Sequence, residues 1–250
     1  MTAMLPPEPL LRVLHEEADL LVLTKPAGLV CHPTKQGEHS SLIGRVRLHL
    51  GTGARPHLVN RLDRETSGVV LVAKNAPTAG QLGRLWESRA VEKTYRAIVR
   101  GHLGQDQGLI EAPLGKDERS AVAIKDCVRA DGRAARTEFW VERRFRRPEG
   151  DFSLVRIVPH TGRKHQIRIH LAHLGHPIVG DKIYGDDEQL YLAFVVGRLT
   201  EAERRRLLLP HQALHAAAVR FSWRGTPRTF TAEPEDWFTK FSDDAPVGSD

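Results

Sequence analysis

The sequence predicts an α+β fold: one domain in which helices flank a mixed, largely antiparallel β-sheet around a central cleft. Three observations predict it. At 250 residues with 40% hydrophobic content, the chain can bury a sizeable core. Short apolar runs with strand character alternate with helical periods, but without the regular rhythm of a doubly wound sheet. No internal repeat, low-complexity block or convincing linker divides the chain. One domain over residues 10–240 is expected, preceded by an extension, 1–9, and followed by a disordered acidic tail, 241–250.

The elements follow in order. Leu10 to Glu16 and Leu20 to Lys25 are apolar runs separated by Glu17-Ala18-Asp19 and closed by Pro26-Ala27-Gly28, which reads as a hairpin. Ser40 and Ser41 can cap a helix in which Leu42, Val46 and Leu50 recur every four residues, with Gly51 at its end. Residues 51 to 67 are loop-like and feed the apolar strand Val69 to Ala73, and such a junction suits a functional group. Leu82, Leu85 and Trp86 mark one side of a short helix. Lys93 to Val99 then alternates, with Tyr95, Ala97 and Val99 on the inward face and Arg96, Ile98 and Arg100 opposite. Thr137 to Val141, Phe152 to Val158 and Leu214 to Phe221 complete the strands. Thr161-Gly162 is read as opening a helix with the buried stripe Ile167, Leu171 and Leu174, stopped by Gly175 and Pro177. Thr200 and Glu203 have capping-box spacing ahead of Arg204-Arg205-Arg206.

The net charge of +6 understates the basic character of the body. Residues 231–250 hold six carboxylates against Lys240, so residues 1–230 carry +11. Nucleic acid, an anionic membrane surface or an acidic metabolite would each suit that excess. No run approaches the roughly 20 apolar residues of a membrane span, and the first residues lack a secretory pattern. Cys31 and Cys127 are far apart and lack CxxC spacing, which argues against a disulfide framework or a zinc site and for a reducing cytoplasm.

The strongest local signal is His57-Leu58-Val59-Asn60-Arg61-Leu62-Asp63-Arg64-Glu65-Thr66-Ser67-Gly68, running directly into Val69-Val70-Leu71-Val72. Asp63 lies between two arginines and ahead of a buried strand, a setting that favours a charged carboxylate beside a cleft. Such a carboxylate can be a nucleophile. It can equally cap a turn with Thr66 and Ser67, and the local physics leaves both readings open.

Asn60 through Gly68 resembles the HRLDxxTSG motif of RluA-like pseudouridine synthases, in which the Asp is the nucleophile. Asp19 to Gly28 is similar to that family's N-terminal segment, and Lys93-Thr94-Tyr95 to its KxY segment. His160 to Leu171 resembles the TGRxHQIRxH element and continues through His176-Pro177-Ile178-Val179-Gly180-Asp181, and Leu214-His215-Ala216 matches the late LHA signature. One position departs: Asn60 stands where the family usually has His, and an amide cannot titrate near neutral pH. A loop-orienting role is expected there.

The resemblance implies an isomerase that converts uridine to pseudouridine in structured RNA, tRNA or rRNA, with no cofactor and no metal. Asp63 would attack the ribose or the uracil ring, Arg168 would pair with it, and Tyr95 would stack on the flipped base and assist proton removal. Arg61 would fill the space left by the base, whose flipping costs a few kcal/mol. Arg64, Asn60, Lys93, Arg163 and His165 are expected to contact RNA. Tyr95 could instead be a core aromatic, and Arg61 a solvated or phosphate-bound side chain. The runs Arg143 to Arg147 and Arg204 to Arg206 are solvated faces or phosphate contacts. Two competing readings are a catalytically silent RNA-binding relative and a metal-dependent hydrolase using His160, His165, His170, His173 and His176. No HExxH or matched carboxylate accompanies those histidines. A monomer without protein or membrane partners is expected, and the short stretch before the first strand leaves no room for a separate S4-like domain.

Overall fold

A computed structural model describes residues 10–33 and 40–243; the expected extension 1–9 and most of the expected tail lie outside them. The hairpin forms as read: β1 (Arg12–Glu16) pairs antiparallel with β2 (Leu20–Lys25), whose six residues are all buried. Helix α1 (Leu42–Leu50) follows, with the Ser41 hydroxyl accepting from the Gly44 amide and Gly51 closing it. The short β3 (His57–Leu58) and the buried β4 (Ser67–Ala73) come next, then α2 (Ala76–Glu87), capped by Asn75.

Strand β5 (Val91–Arg100) leads to β6 (Gln107–Glu111) and to a small two-stranded sheet of β7 (Leu114–Lys116) and β8 (Asp126–Val128). The long β9 (Arg136–Arg147) and β10 (Gly150–Pro159) precede α3 (Gln166–His173), α4 (Gln189–Val195) and α5 (Glu201–Leu207). Strands β11 (Leu214–Trp223) and β12 (Thr226–Thr231) and helix α6 (Asp236–Asp243) complete the chain. The main sheet has ten strands along the order β1-β2-β4-β11-β5-β10-β9-β6, with β12 beside β11 and β3 beside β4. The fold is α+β as expected. The β4–β11 pair is parallel and the others are antiparallel.

That parallel pair requires a glycine. Gly68 has φ 118°, and a Cβ there would lie 2.3 Å from the Ala216 carbonyl oxygen. The register then sets Gly68 opposite Ala216, Ala216 opposite Tyr95 and Tyr95 opposite Ile157, a row across four strands. The loop that ends at β4 is thereby carried towards Tyr95.

Three expectations are corrected. Helix α3 begins at Gln166, not at Thr161-Gly162. Thr161 instead donates to Gln166 Oε1 at 2.7 Å and accepts from the Arg136 amide at 2.9 Å, so residues 161–165 form a turn that anchors the helix. Leu174 is 40% exposed, while Gln166 to Leu171 are buried all round, so α3 is a core helix without a single apolar stripe. Residues 241–243, expected in a disordered tail, end α6, where Phe241 packs on Phe145 and Phe152. The β5 alternation holds, but Ala97, Ile98 and Val99 are all buried, so both faces of the strand are covered there.

Candidate active site

A cavity of about 640 Å³ opens where the loop before β4 meets β5 and α3, lined by Asn60, Arg61, Asp63, Lys93, Tyr95, Arg163, His165 and Arg168. Arg64, expected with them, is not among its lining residues: its Nε donates to the Gly28 carbonyl at 3.2 Å, and its guanidinium lies 5.9 Å from the Phe194 ring centroid. The basic run Arg143 to Arg147 also lies elsewhere. Arg143, Arg144, Arg146 and Arg147 are tied to Asp243, Asp106, Asp151 and Glu149, which favours the solvated-face reading.

Asp63 and Arg168 stand 105 residues apart in the chain, yet Arg168 NH1 donates to Asp63 Oδ2 at 2.9 Å. The carboxylate is 32% exposed at the cavity mouth; the guanidinium is 5% exposed beneath it. Oδ1 of Asp63 has no hydrogen-bond partner among the described residues, and the residue lines the cavity. Below Arg168 lies a residue to which the sequence reading gave no role. Asp181, with a fully buried side chain, takes a two-point hydrogen bond from Arg168, Nε to Oδ2 at 2.7 Å and NH2 to Oδ1 at 2.9 Å. The backbone amides of Ile183 and Tyr184 also donate to it. Burial opposes both charges, but Asp181, backed by Asp63, outweighs it for Arg168, whose pKa lies above the ordinary range, and Arg168 with the two amides outweighs it for Asp181, whose pKa lies below. The guanidinium is thus held from both sides with one edge left for Asp63.

His165 adds a neutral ring. It occupies the left-handed region, φ 55°, as the N-cap of α3, a conformation uncommon outside glycine. Burial first and then Arg168 push its pKa down to about 4, so near neutrality the ring is uncharged. Its Nδ1 lies 2.8 Å from the Tyr184 hydroxyl, which itself accepts from the Asp126 amide at 3.2 Å. The other ring nitrogen, Nε2, lies 3.8 Å from Asp63 Oδ2. The Tyr184 ring also covers the Arg168 guanidinium at 4.9 Å.

Two further clasps hold the loop. Asn60 donates to the Val69 carbonyl at 3.2 Å and accepts from the Leu71 amide at 2.8 Å, stitching the Asp63 loop to β4. Its amide is the right group for that task, since one side chain must both donate and accept. Lys25, also without an assigned role from sequence, is wholly buried, and its ammonium donates to the carbonyls of Pro26, Leu29 and Arg64 at 2.9, 2.8 and 2.9 Å. Burial lowers its pKa to about 8. Tyr95 rests half-buried in the cavity wall; burial and then Asp63 raise its hydroxyl above the ordinary range, so it is a neutral phenol.

The histidines of the metal reading are dispersed. His170 bonds Thr137 and the Ala112 carbonyl, His160 bonds Glu138, and His176 bonds the Arg100 carbonyl. Among the described residues no three metal-ligating side chains converge.

Residues 19–173 match the family model described as RNA pseudouridylate synthase. The chain belongs to that family. Its RluA-like character is equally plain: it is 36% identical over 224 residues to the dual-specificity RNA pseudouridine synthase RluA of Yersinia pestis, covering 89% of this chain and 98% of that protein. It is 36% identical over 193 residues to an RNA pseudouridine synthase of Aquifex aeolicus, covering 72% of this chain and 60% of the relative's length. Human RNA Pseudouridylate Synthase Domain Containing 1 has a similar structure, with a TM-score of 0.72 and 27% identity over 92% of this chain and 86% of that one. Asp63 and Arg168 both fall within the matched segment. No helix among the described residues is long and apolar enough to cross a membrane.

Proposed function

We infer that this RluA-family chain isomerises a uridine in structured RNA, tRNA or rRNA, to pseudouridine, with Asp63 as its nucleophile. The observation that carries the reading is the Asp63 carboxylate at the mouth of the cavity, one oxygen held by Arg168 and the other free. The reaction breaks the bond between C1′ and N1 of uracil, turns the base and joins C1′ to C5, whose proton must then leave. Asp63 Oδ1 supplies the electron pair for attack on the ribose or the ring, and Arg168 fixes the carboxylate's direction throughout. No charge is left unpaired when the carboxylate is consumed, because Asp181 still balances Arg168.

Tyr95 enters as a phenol, which suits stacking on the extruded base. It helps remove the C5 proton by taking it up at the hydroxyl oxygen while passing its own proton to the Asp63 carboxylate, which is released when C1′ joins C5, so no phenolate is needed. Arg61, exposed on the loop before Asp63 and lining the cavity, fills the gap that the extruded base leaves in the RNA stack. Asn60 acts on the loop, which supports the expectation that this position orients rather than transfers protons. Asp63→Asn is expected to keep the fold and most of the RNA affinity while pseudouridine formation stops. RNA from cells lacking the gene, incubated with each protein and scanned for new pseudouridines, reads the outcome; undiminished turnover by the variant would refute it.

A further inference from the structure

Next to the cavity that holds Asp63 lies a larger one of about 1290 Å³. Trp86, Lys93, Pro159, Thr161, Gly162 and Arg163 line both, so the two spaces join at the start of β5. The chemistry at Asp63 uses only the first.

Lys93 stands at the joint in an uncommon setting for a lysine. Its backbone is locked in the sheet opposite Val219, and its side chain is half-buried. No hydrogen bond or ion pair ties its ammonium to any of the described residues, and a Cβ on Gly162 would lie 4.0 Å from its Nζ, so it rests against bare backbone. Burial first, and then Arg89, push its pKa below the ordinary lysine range; the charge it feels is another cation. Arg89 sits in the turn after α2 at φ 59°, a position where glycine is the usual residue. Its guanidinium is exposed and likewise has no partner among the described residues.

The rest of the wall shows how unusual this is. Arg136 faces Glu111 at 3.7 Å and Arg220 faces Glu92 at 3.6 Å, and Arg163 donates to the Ala134 carbonyl at 3.2 Å, so the other arginines of the larger cavity each have a partner. Two neighbouring cations without a carboxylate, one of them partly withdrawn from water, repel each other until an anion arrives.

We propose that Lys93 and Arg89 form a phosphodiester subsite at the junction of the two cavities. It holds the backbone of the nucleotide next to the target uridine, and the RNA strand continues through the larger cavity past Trp86. This rests on the reading of the chain as an RNA-modifying enzyme and extends it. A single phosphate ion would satisfy the two charges, but not the length of the cavity beyond them. A strand does both, and its unstacked bases can lie on the half-buried Trp86 ring.

The test uses the Asp63→Asn protein, which binds without turnover, and the RNA pool from cells lacking this gene. Binding is titrated between about 50 and about 200 mM salt. Each lost phosphate contact should flatten the slope of log affinity against log salt by roughly 0.7 to 0.9. Adding Lys93→Gln and Arg89→Gln together should flatten it by about 1.5 and weaken binding at low salt about tenfold. Arg89→Gln alone, at an exposed turn where folding is not at issue, should give half the change, and Lys93→Arg should keep the parent slope. Unchanged slopes in the Arg89→Gln and double variants would overturn the proposal. So would binding of inorganic phosphate that is lost in the double variant while RNA binding is not, since the site would then serve a free ion. If the Asp63→Asn parent binds no RNA at all, the RNA reading itself fails, which is a different result.

Discussion

Replacing Asp181 by Asn tests the support beneath the active site, because the side chain touches no substrate and keeps its shape. The substitution removes one of two charges that lie at 2.7 and 2.9 Å from each other's oxygens and nitrogens, with Asp181 wholly buried and Arg168 5% exposed. Breaking a buried pair from one side costs about 3 to 5 kcal/mol, mostly because the remaining charge is stranded. Here Arg168 keeps Asp63 and the Asn oxygen can still accept from the Ile183 and Tyr184 amides, but its NH2 then faces the Arg168 Nε–H donor to donor, so a cost of at least about 3 kcal/mol is expected. With an m-value near 3 kcal/mol/M, the urea midpoint should fall by about 1 M. Arg168→Met should cost a similar amount, and the double variant about 2 kcal/mol less than the sum, because no stranded charge remains. Far-UV circular dichroism in urea measures all four corners of the cycle. Turnover should fall in Asp181→Asn while RNA affinity holds, since Asp181 acts only through the direction of Arg168. A midpoint within about 0.2 M of the parent, or energies additive within about 0.5 kcal/mol, would refute the pairing as the organising feature.

Stability should also depend on pH through His165. Folded, it takes up a proton only near pH 4, whereas the unfolded residue does so near 6.5, so the unfolded chain binds more protons between those values. Stability should be level with respect to this group above pH 6.5 and decline as pH falls from there towards 4; urea midpoints across that window should show a shallower decline in His165→Gln, with the remainder left by the similarly depressed His170 and His215. Identical declines would exclude His165 as a source. Gly68→Ala forces a methyl to within 2.3 Å of the Ala216 carbonyl at φ 118°, and a loss of roughly 3 kcal/mol or more should lower the thermal midpoint by about 10 °C. A variant that melts with the parent would show that the parallel pair is not as close as described.

Local chemistry made much of the fold legible. The Ser41 cap, the Thr200–Glu203 capping box and the β1–β2 hairpin lie within a few residues of their partners, and each was readable from spacing. The Thr161-Gly162 start was misread because a threonine that can cap a helix can also brace a turn, and which it does depends on Arg136 and Gln166 arriving from elsewhere. Leu174 fails as a core residue for a related reason: α3 is enclosed at Gln166 to Leu171 and emerges at its end, which no periodicity within eight residues could reveal.

At the site the division is the same. The motifs, through the family they resemble, pointed to Asp63, Tyr95 and Arg168 as candidates, because motif residues keep their spacing along the chain, and the structure brings the three to one cavity. Asp181, Tyr184 and Lys25 acquired roles only in three dimensions. A buried charge is expensive until a counter-charge meets it, and whether one does depends on segments such as 63, 168 and 181 being folded against one another. A sequence records which groups are present; only packing determines which of them lose water together, and that loss turns an aspartate and an arginine into a fixed pair.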